Sequence, residues 1–165
     1  MKRYEASLIG TKGNEIFYQT WQVDQPVGSI LVTHGLAEHS ECYDSFARIM
    51  NQFRWDVIAW DLRGHGRSEG KRGYVAAFDD YSEDFKCLTE QFVLNETFVS
   101  EKPRVLFAHS MGALVILNSI VRFGDLGYRA LCLSAPLLGL AVKVPKIKEA
   151  VAQWAGRWLP KLTLY

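Results

Sequence analysis

Ser110 is the residue in this chain best placed to do chemistry. It lies in VLFAHSMG, Val105–Gly112, where an apolar run meets His109, Ser110 and Gly112. The pattern predicts a strand ending in a tight turn, with the serine on the turn and a helix beginning at Met111. A serine so placed lifts its hydroxyl above the sheet, and the crowded backbone demands small residues two positions away on either side. Gly112 meets that demand on one side and Ala108 on the other. The amino end of the helix favours developing negative charge. Together these are the requirements of a nucleophile for acyl transfer. The plainer alternative is a serine that caps the helix.

An acyl-transfer oxyanion needs at least two donors fixed before the reaction. Met111 N–H, next to the serine, is one. Leu36 N–H is the second, in the loop THGLAEHS after an earlier strand. His34 and Gly35 precede it. His34 is expected to brace this loop rather than carry protons. Glu38 and His39 either line the pocket or face water. A third stretch, DLRGHGRSEG, has Gly64, Gly66 and Gly70 for a crowded loop. Asp61, Arg63, His65 and Ser68 are the polar groups expected to hold it. His65 sits on the wrong loop to serve as a base for Ser110.

The elements that must position these residues follow from periodicity. YEASLIG, the turn TKGN and EIFYQTWQV read as a hairpin. SILVTHG, WDVIAWD, RVLFAHS and YRALCLSAP read as short buried strands. SECYDSFARIMNQF, with Ser40 as its cap, reads as a helix with Tyr43, Phe46, Ala47 and Met50 on one face. DDYSEDFKCLTEQFVLNETF reads as a longer helix, with Tyr81, Phe85, Leu88 and Phe92 on one side. MGALVILNSIVRF is a third, closed near Gly124. Alternating strands and helices predict an α/β fold with a mostly parallel sheet covered on both faces. Ligands of such sheets bind beyond the carboxyl ends of the strands. His34-Gly35, Asp61 and Ser110 all fall at those ends.

Composition narrows the function. The 165 residues are 48% hydrophobic and 22% charged, ordinary for a globular domain with a core. No apolar run reaches the roughly 20 residues that span a bilayer, and the opening MKRYEASLIG does not read as a signal peptide. Cys42, Cys87 and Cys132 have no metal-ligand spacing and are expected to be reduced, mostly buried thiols of a cytoplasmic protein. Residues 141–165 hold Lys143, Lys146, Lys148, Arg157 and Lys161 against Glu149, a net charge of +4 within a total of +1. No nucleic-acid motif accompanies that charge, so nucleic acid is not an expected partner. No metal or cofactor is implied.

With these parts assembled, the chain resembles the α/β-hydrolase fold and, within it, the monoacylglycerol lipase and lysophospholipase branch. The resemblance rests on THGLAEHS, DLRGHGRSEG, the entry from Gly73-Tyr74 to Phe85, and LFAHSMGA, in that order over about residues 5–165. It implies Ser110 as nucleophile and the Leu36 and Met111 amides as oxyanion hole. His34, Gly35, Asp61, His109 and Gly112 would be structural residues near the site. The implied substrate is a small lipid ester. Ala108 departs from the first glycine of the serine turn, and Ala37 and Ala113 stand where this branch commonly has glycine. The resemblance also implies a division into core, 1–138, and the start of a helical cap, 139–165. In the cap, Val144, Ile147, Val151, Trp154 and Trp158 form one helical stripe opposite Lys146, Glu149, Gln153 and Arg157. A basic amphipathic helix over 144–159 suits peripheral contact with the inner membrane surface.

Two partners of the serine are not in hand. A serine hydroxyl needs a base, and in this fold the order is serine, acid, histidine. The four histidines, His34, His39, His65 and His109, all precede Ser110, and Asp125 is the only aspartate after it. The expectation is therefore an amino-terminal portion of a serine ester hydrolase. The rest of the parent chain, or a complementing chain, would supply the acid and histidine. A short-chain carboxylesterase or thioesterase, or a non-catalytic lipid- or partner-binding relative, are the alternatives.

Overall fold

The computed structural model describes residues 1–94, 102–139, 146 and 154, with side chains up to 92 in the first segment. Six strands and three α-helices alternate along it. They are β1 (Lys2–Ile9), β2 (Glu15–Gln22), β3 (Gly28–Thr33), α1 (Asp44–Gln52), β4 (Trp55–Trp60), α2 (Asp79–Leu94), β5 (Arg104–His109), α3 (Met111–Phe123) and β6 (Ala130–Ser134). The sheet order is β1-β2-β4-β3-β5-β6. The hairpin is antiparallel and meets β4 antiparallel, while β4, β3, β5 and β6 run parallel. The mostly parallel α/β sheet expected from the sequence is the sheet found.

The strand period of two divides the core into two layers. Leu31, Ile58, Trp60 and Leu106 face α2 and α3 and pack with Phe85, Leu88 and Ile116. Ile30, Val32, Val57 and Ala59 face the other way and pack with Trp21 and Ala47 of α1. Strands covered on both faces are apolar throughout, which is why they read as continuous runs. The α2 stripe forms as spaced, with Tyr81, Phe85, Leu88 and Phe92 all buried. α3 stops where Gly124 takes φ 78° and donates its N–H to Ile120 O at 2.9 Å.

Two expectations are corrected. Ser40 does not cap α1. A short 3-10 turn, Ser40–Tyr43, precedes the helix, and the residue before α1, Tyr43, makes no side-chain cap. Gln19 Nε2 donates to Ser40 Oγ (2.8 Å), and Ser40 N–H donates to Asp61 Oδ1 (2.6 Å), so long-range partners claim both groups. The cysteines are not mostly buried either. Cys42 and Cys132 are exposed and Cys87 is half-buried, because Cys42 lies on that turn and Cys132 on β6, the last strand of the sheet among the described residues. The expected helix residues 95–98 lie outside the described residues. So does the 144–159 helix, apart from Lys146 and Trp154, which are both exposed.

Candidate active site

The carboxyl ends of β3, β4 and β5 bring three loops together. The β5 loop carries Ser110 on the turn into α3. Its backbone stands at φ 49°, ψ −117°, a conformation that costs an L-residue on the order of 1–3 kcal/mol. Neighbours hold it there. Ser110 N–H donates to Ser134 O (3.0 Å), and Ser110 O accepts from Ala113 N–H (3.1 Å) and Leu137 N–H (3.2 Å). Gly112 is glycine because a Cβ would lie 2.3 Å from His34 O and 2.5 Å from Thr33 O. Ala108, fully buried, fills the other flank with a methyl group.

The β3 loop passes over the serine. A Cβ on Gly35 would lie 3.1 Å from Ser110 Cβ. The turn continues through exposed Leu36 and Ala37 and closes when Glu38 N–H donates to Gly35 O (3.3 Å). Ala37 holds φ 60°, a left-handed conformation that glycine adopts more easily. Neither Leu36 N–H nor Met111 N–H has a hydrogen-bond partner among the described residues. Neither is spent on a described partner, as an oxyanion donor requires.

His34 is fully buried and spent on architecture. Its Nδ1–H donates to Gly35 O (2.7 Å), and its Nε2 accepts Leu62 N–H (2.9 Å). These partners set one neutral tautomer. Burial drives its pKa down to about 4, against the pull of the Gly35 carbonyl. Asp61, also buried, accepts Ser40 N–H at one oxygen and Arg67 N–H (2.7 Å) at the other, stapling the β3 loop to the β4 loop. Arg63 forks onto Asp84 of α2 with two 2.6 Å bonds and donates to Thr11 O in the hairpin turn. Burial disfavours its charge, but Asp84 and Asp80 more than restore it. Ser68 bonds Phe17 N–H and Asp61 O.

The remaining histidines are also occupied or distant. His65 Nδ1–H donates to Arg63 O (3.1 Å). His109 Nδ1 meets Ser134 O (3.1 Å) and Ser134 Oγ (3.2 Å), while its Nε2 lies 3.8 Å from Glu38 Oε1. His39 is exposed. Glu38 turns inward: its Oε2 accepts Gly35 N–H (2.8 Å) and Tyr43 O–H (3.0 Å). Burial pushes Glu38 up, but those two donors and His109 hold it below the usual carboxylate range. No described histidine bonds Ser110 Oγ, which has no hydrogen-bond partner among the described residues. A cleft of about 280 Å³ opens beside the β3 turn between Leu36, Glu38, His65 and Arg72. Sequence reasoning missed Tyr43 and Ser134 as parts of this site. Ser134 had one available signal, its position at the carboxyl end of a predicted strand.

The geometry is a serine on a strained strand-to-helix turn beneath a loop with a free amide. Residues 24–165 match the family described as serine aminopeptidase, S33. The chain belongs to this family. A monoacylglycerol lipase of Mycolicibacterium smegmatis is 33% identical over 160 residues, covering 96% of this chain and 55% of the relative. The monoglyceride lipase of Homo sapiens is 32% identical over 165 residues, covering 95% of this chain and 51% of that protein. The crystal structure of Paleococcus ferrophilus monoacylglycerol lipase superposes with a TM-score of 0.70 at 27% identity, covering 99% of this chain and 55% of that one. The chain thus spans about half the length of the curated relatives it matches, and its fold is that of the α/β-hydrolases.

Proposed function

We propose that this S33-family chain carries the nucleophile and oxyanion hole of a serine ester hydrolase acting on monoacyl lipids. The observation that carries the reading is Ser110 at φ 49°, its hydroxyl unpartnered among the described residues, beside the free amides of Leu36 and Met111. The names of the relatives support a monoacyl lipid as substrate. In the reaction Ser110 Oγ attacks the ester carbonyl and its proton passes to a histidine. The carbonyl oxygen takes the negative charge between the Leu36 and Met111 amides. The alcohol leaves with the proton, and water then cleaves the acyl-enzyme to a fatty acid and free Ser110. In the serine, acid, histidine order of this fold the histidine follows the serine, whereas all four histidines here precede Ser110. The reaction so written calls for no metal or cofactor. The exposed Trp154 and Lys146 support peripheral contact of the 144–159 segment with a membrane surface.

The test uses the product of the complete reading frame. A fluorophosphonate should label Ser110, and monoacylglycerol should be hydrolysed faster than a soluble short-chain ester. Ser110→Ala should lower kcat by about 10⁴-fold or more. Faster turnover of the short ester would move the assignment to a carboxylesterase or thioesterase. One observation favours a second, non-catalytic reading: no described histidine reaches Ser110. A complete protein that is unlabelled and inert, yet binds a lipid or another protein, would establish it.

A further inference from the structure

Glu38 has a place in this site that its exposed, unpatterned stretch of sequence did not announce. The donor it governs is Leu36 N–H, which belongs to the Gly35–Leu36 peptide. That peptide is trans, so its N–H points away from its carbonyl. Whatever holds Gly35 O therefore aims Leu36 N–H. Two donors hold it: His34 Nδ1–H at 2.7 Å and the backbone N–H of Glu38 at 3.3 Å. The peptide before it is held by the Glu38 side chain, whose Oε2 accepts Gly35 N–H at 2.8 Å. Glu38 thus grips both polar groups of Gly35.

Such a grip is needed here. Glycine suits position 35 because a Cβ would press on Ser110 Cβ at 3.1 Å, His109 Cδ2 at 3.2 Å and Glu38 Oε2 at 3.3 Å. Glycine does not define its own conformation. Ala37, two residues on, sits at φ 60° and gives the turn a reason to relax. The clamp is itself anchored. Tyr43 O–H donates to the same carboxylate oxygen (3.0 Å), and His109 Nε2 faces the other oxygen at 3.8 Å. Glu38 is half-buried in this arrangement, with its carboxylate against the turn.

We propose that Glu38 is a positioning residue for the oxyanion turn, holding the Gly35–Leu36 peptide so that Leu36 N–H meets the developing oxyanion above Ser110. The inference rests on the reading of Ser110 as an acyl-transfer nucleophile. It goes beyond that reading by giving a carboxylate that need not touch substrate a measurable share of the rate.

The experiment compares Glu38→Gln, Glu38→Asp and Glu38→Ala in the product of the complete reading frame. Gln keeps an oxygen that can accept Gly35 N–H. Asp keeps the charge but is one methylene short. Ala removes both. The readouts are kcat and KM on a monoacyl ester and the rate of fluorophosphonate labelling at Ser110, which uses the same hole. Misaiming one donor by about an ångström costs up to about 100-fold. Asp and Ala should therefore lose about 10- to 100-fold in kcat and in labelling, with KM little changed, and Gln should recover most of that loss. The Asp variant keeps the test available should Ala fail to fold. Wild-type labelling rates in Asp and Ala would overturn the proposal. So would a Gln variant as slow as Ala, which would make charge opposite His109 the requirement. A rise in KM at constant kcat would overturn it too, by placing Glu38 on the substrate. If Ser110 of the unsubstituted protein is not labelled at all, the proposed function falls and this inference with it. That outcome is distinct from labelling that proceeds regardless of residue 38.

Discussion

At the residue scale the site is built by close approach. Gly112 touches two carbonyl oxygens that cannot move without shifting β3, so Gly112→Ala should destabilise the fold. Overpacking of this kind costs typically 1–3 kcal/mol, and alanine's helix preference returns about 1 kcal/mol of it. The expected net loss is up to about 2 kcal/mol in urea unfolding, with a larger fall in Ser110 labelling, because the clash lies against His34 O and Thr33 O. His34 gives a pH prediction. Its pKa falls from 6.5 in the unfolded chain to about 4 in the fold, so the folded state prefers the neutral ring. The stability this contributes is complete above pH 6.5 and is lost as the pH falls from there towards 4. The loss is on the order of 3 kcal/mol. Glu38, with its lowered pKa, adds to acid lability only below its ordinary value of 4.5. Unfolding free energies measured between pH 7 and 5 should fall in the unsubstituted protein. The slope should flatten in a His34→Asn variant, and an unchanged slope there would assign the titration elsewhere.

At the element scale, one buried ion pair ties three segments together. Arg63, in the loop after β4, joins Asp84 of α2 and the Thr11 carbonyl of the hairpin turn, while Asp84 also accepts Thr11 N–H (2.8 Å). Removing one partner leaves a buried charge unpaired and costs about 3–5 kcal/mol, whereas replacing both with apolar side chains costs far less. Arg63→Met should lower stability by that amount, Asp84→Leu by less because Asp80 Oδ2 still lies 3.7 Å from the Arg63 guanidinium, and the double variant by clearly less than their sum. A double-mutant cycle on denaturation free energies checks this. The strands, the α2 stripe and the serine turn were legible in the sequence because their signals are local: apolar runs, a helical period, and a serine with a glycine two positions on. The loop chemistry was not. Ser40 reads as a helix cap until Gln19 and Asp61, each 21 residues away, are seen to take its hydroxyl and its amide. Glu38 was left between pocket and solvent because only the fold brings Gly35 N–H, Tyr43 and His109 around it. The cysteine burial was misread for a related reason: composition does not reveal which strand lies at the edge.

At the scale of the whole molecule, the described sheet is lopsided. Its middle strands β3 and β4 are almost wholly buried, whereas every residue of β6 keeps some exposure and Leu133 remains 37% exposed. β6 pairs only with β5, so its outer row of N–H and C=O groups has no strand partner among the described residues. Open edges pair with other chains unless something covers them, and Leu138 adds apolar surface nearby, 69% exposed. The same side bears on catalysis, because Ser134 and Leu137 hold the Ser110 turn from there. The 165-residue polypeptide expressed alone should therefore self-associate and turn over esters little or not at all. The product of the complete reading frame should be monodisperse and active under the same conditions. Sedimentation velocity and an esterase assay on both proteins decide the point. Self-association that disappears in the product of the complete reading frame, together with the appearance of activity, would tie cover of the edge and supply of the base to the same residues. A monomeric 165-residue protein would instead mean that the β6 edge tolerates water, and an inert product of the complete reading frame would mean that Ser110 sits in a binding surface without a base.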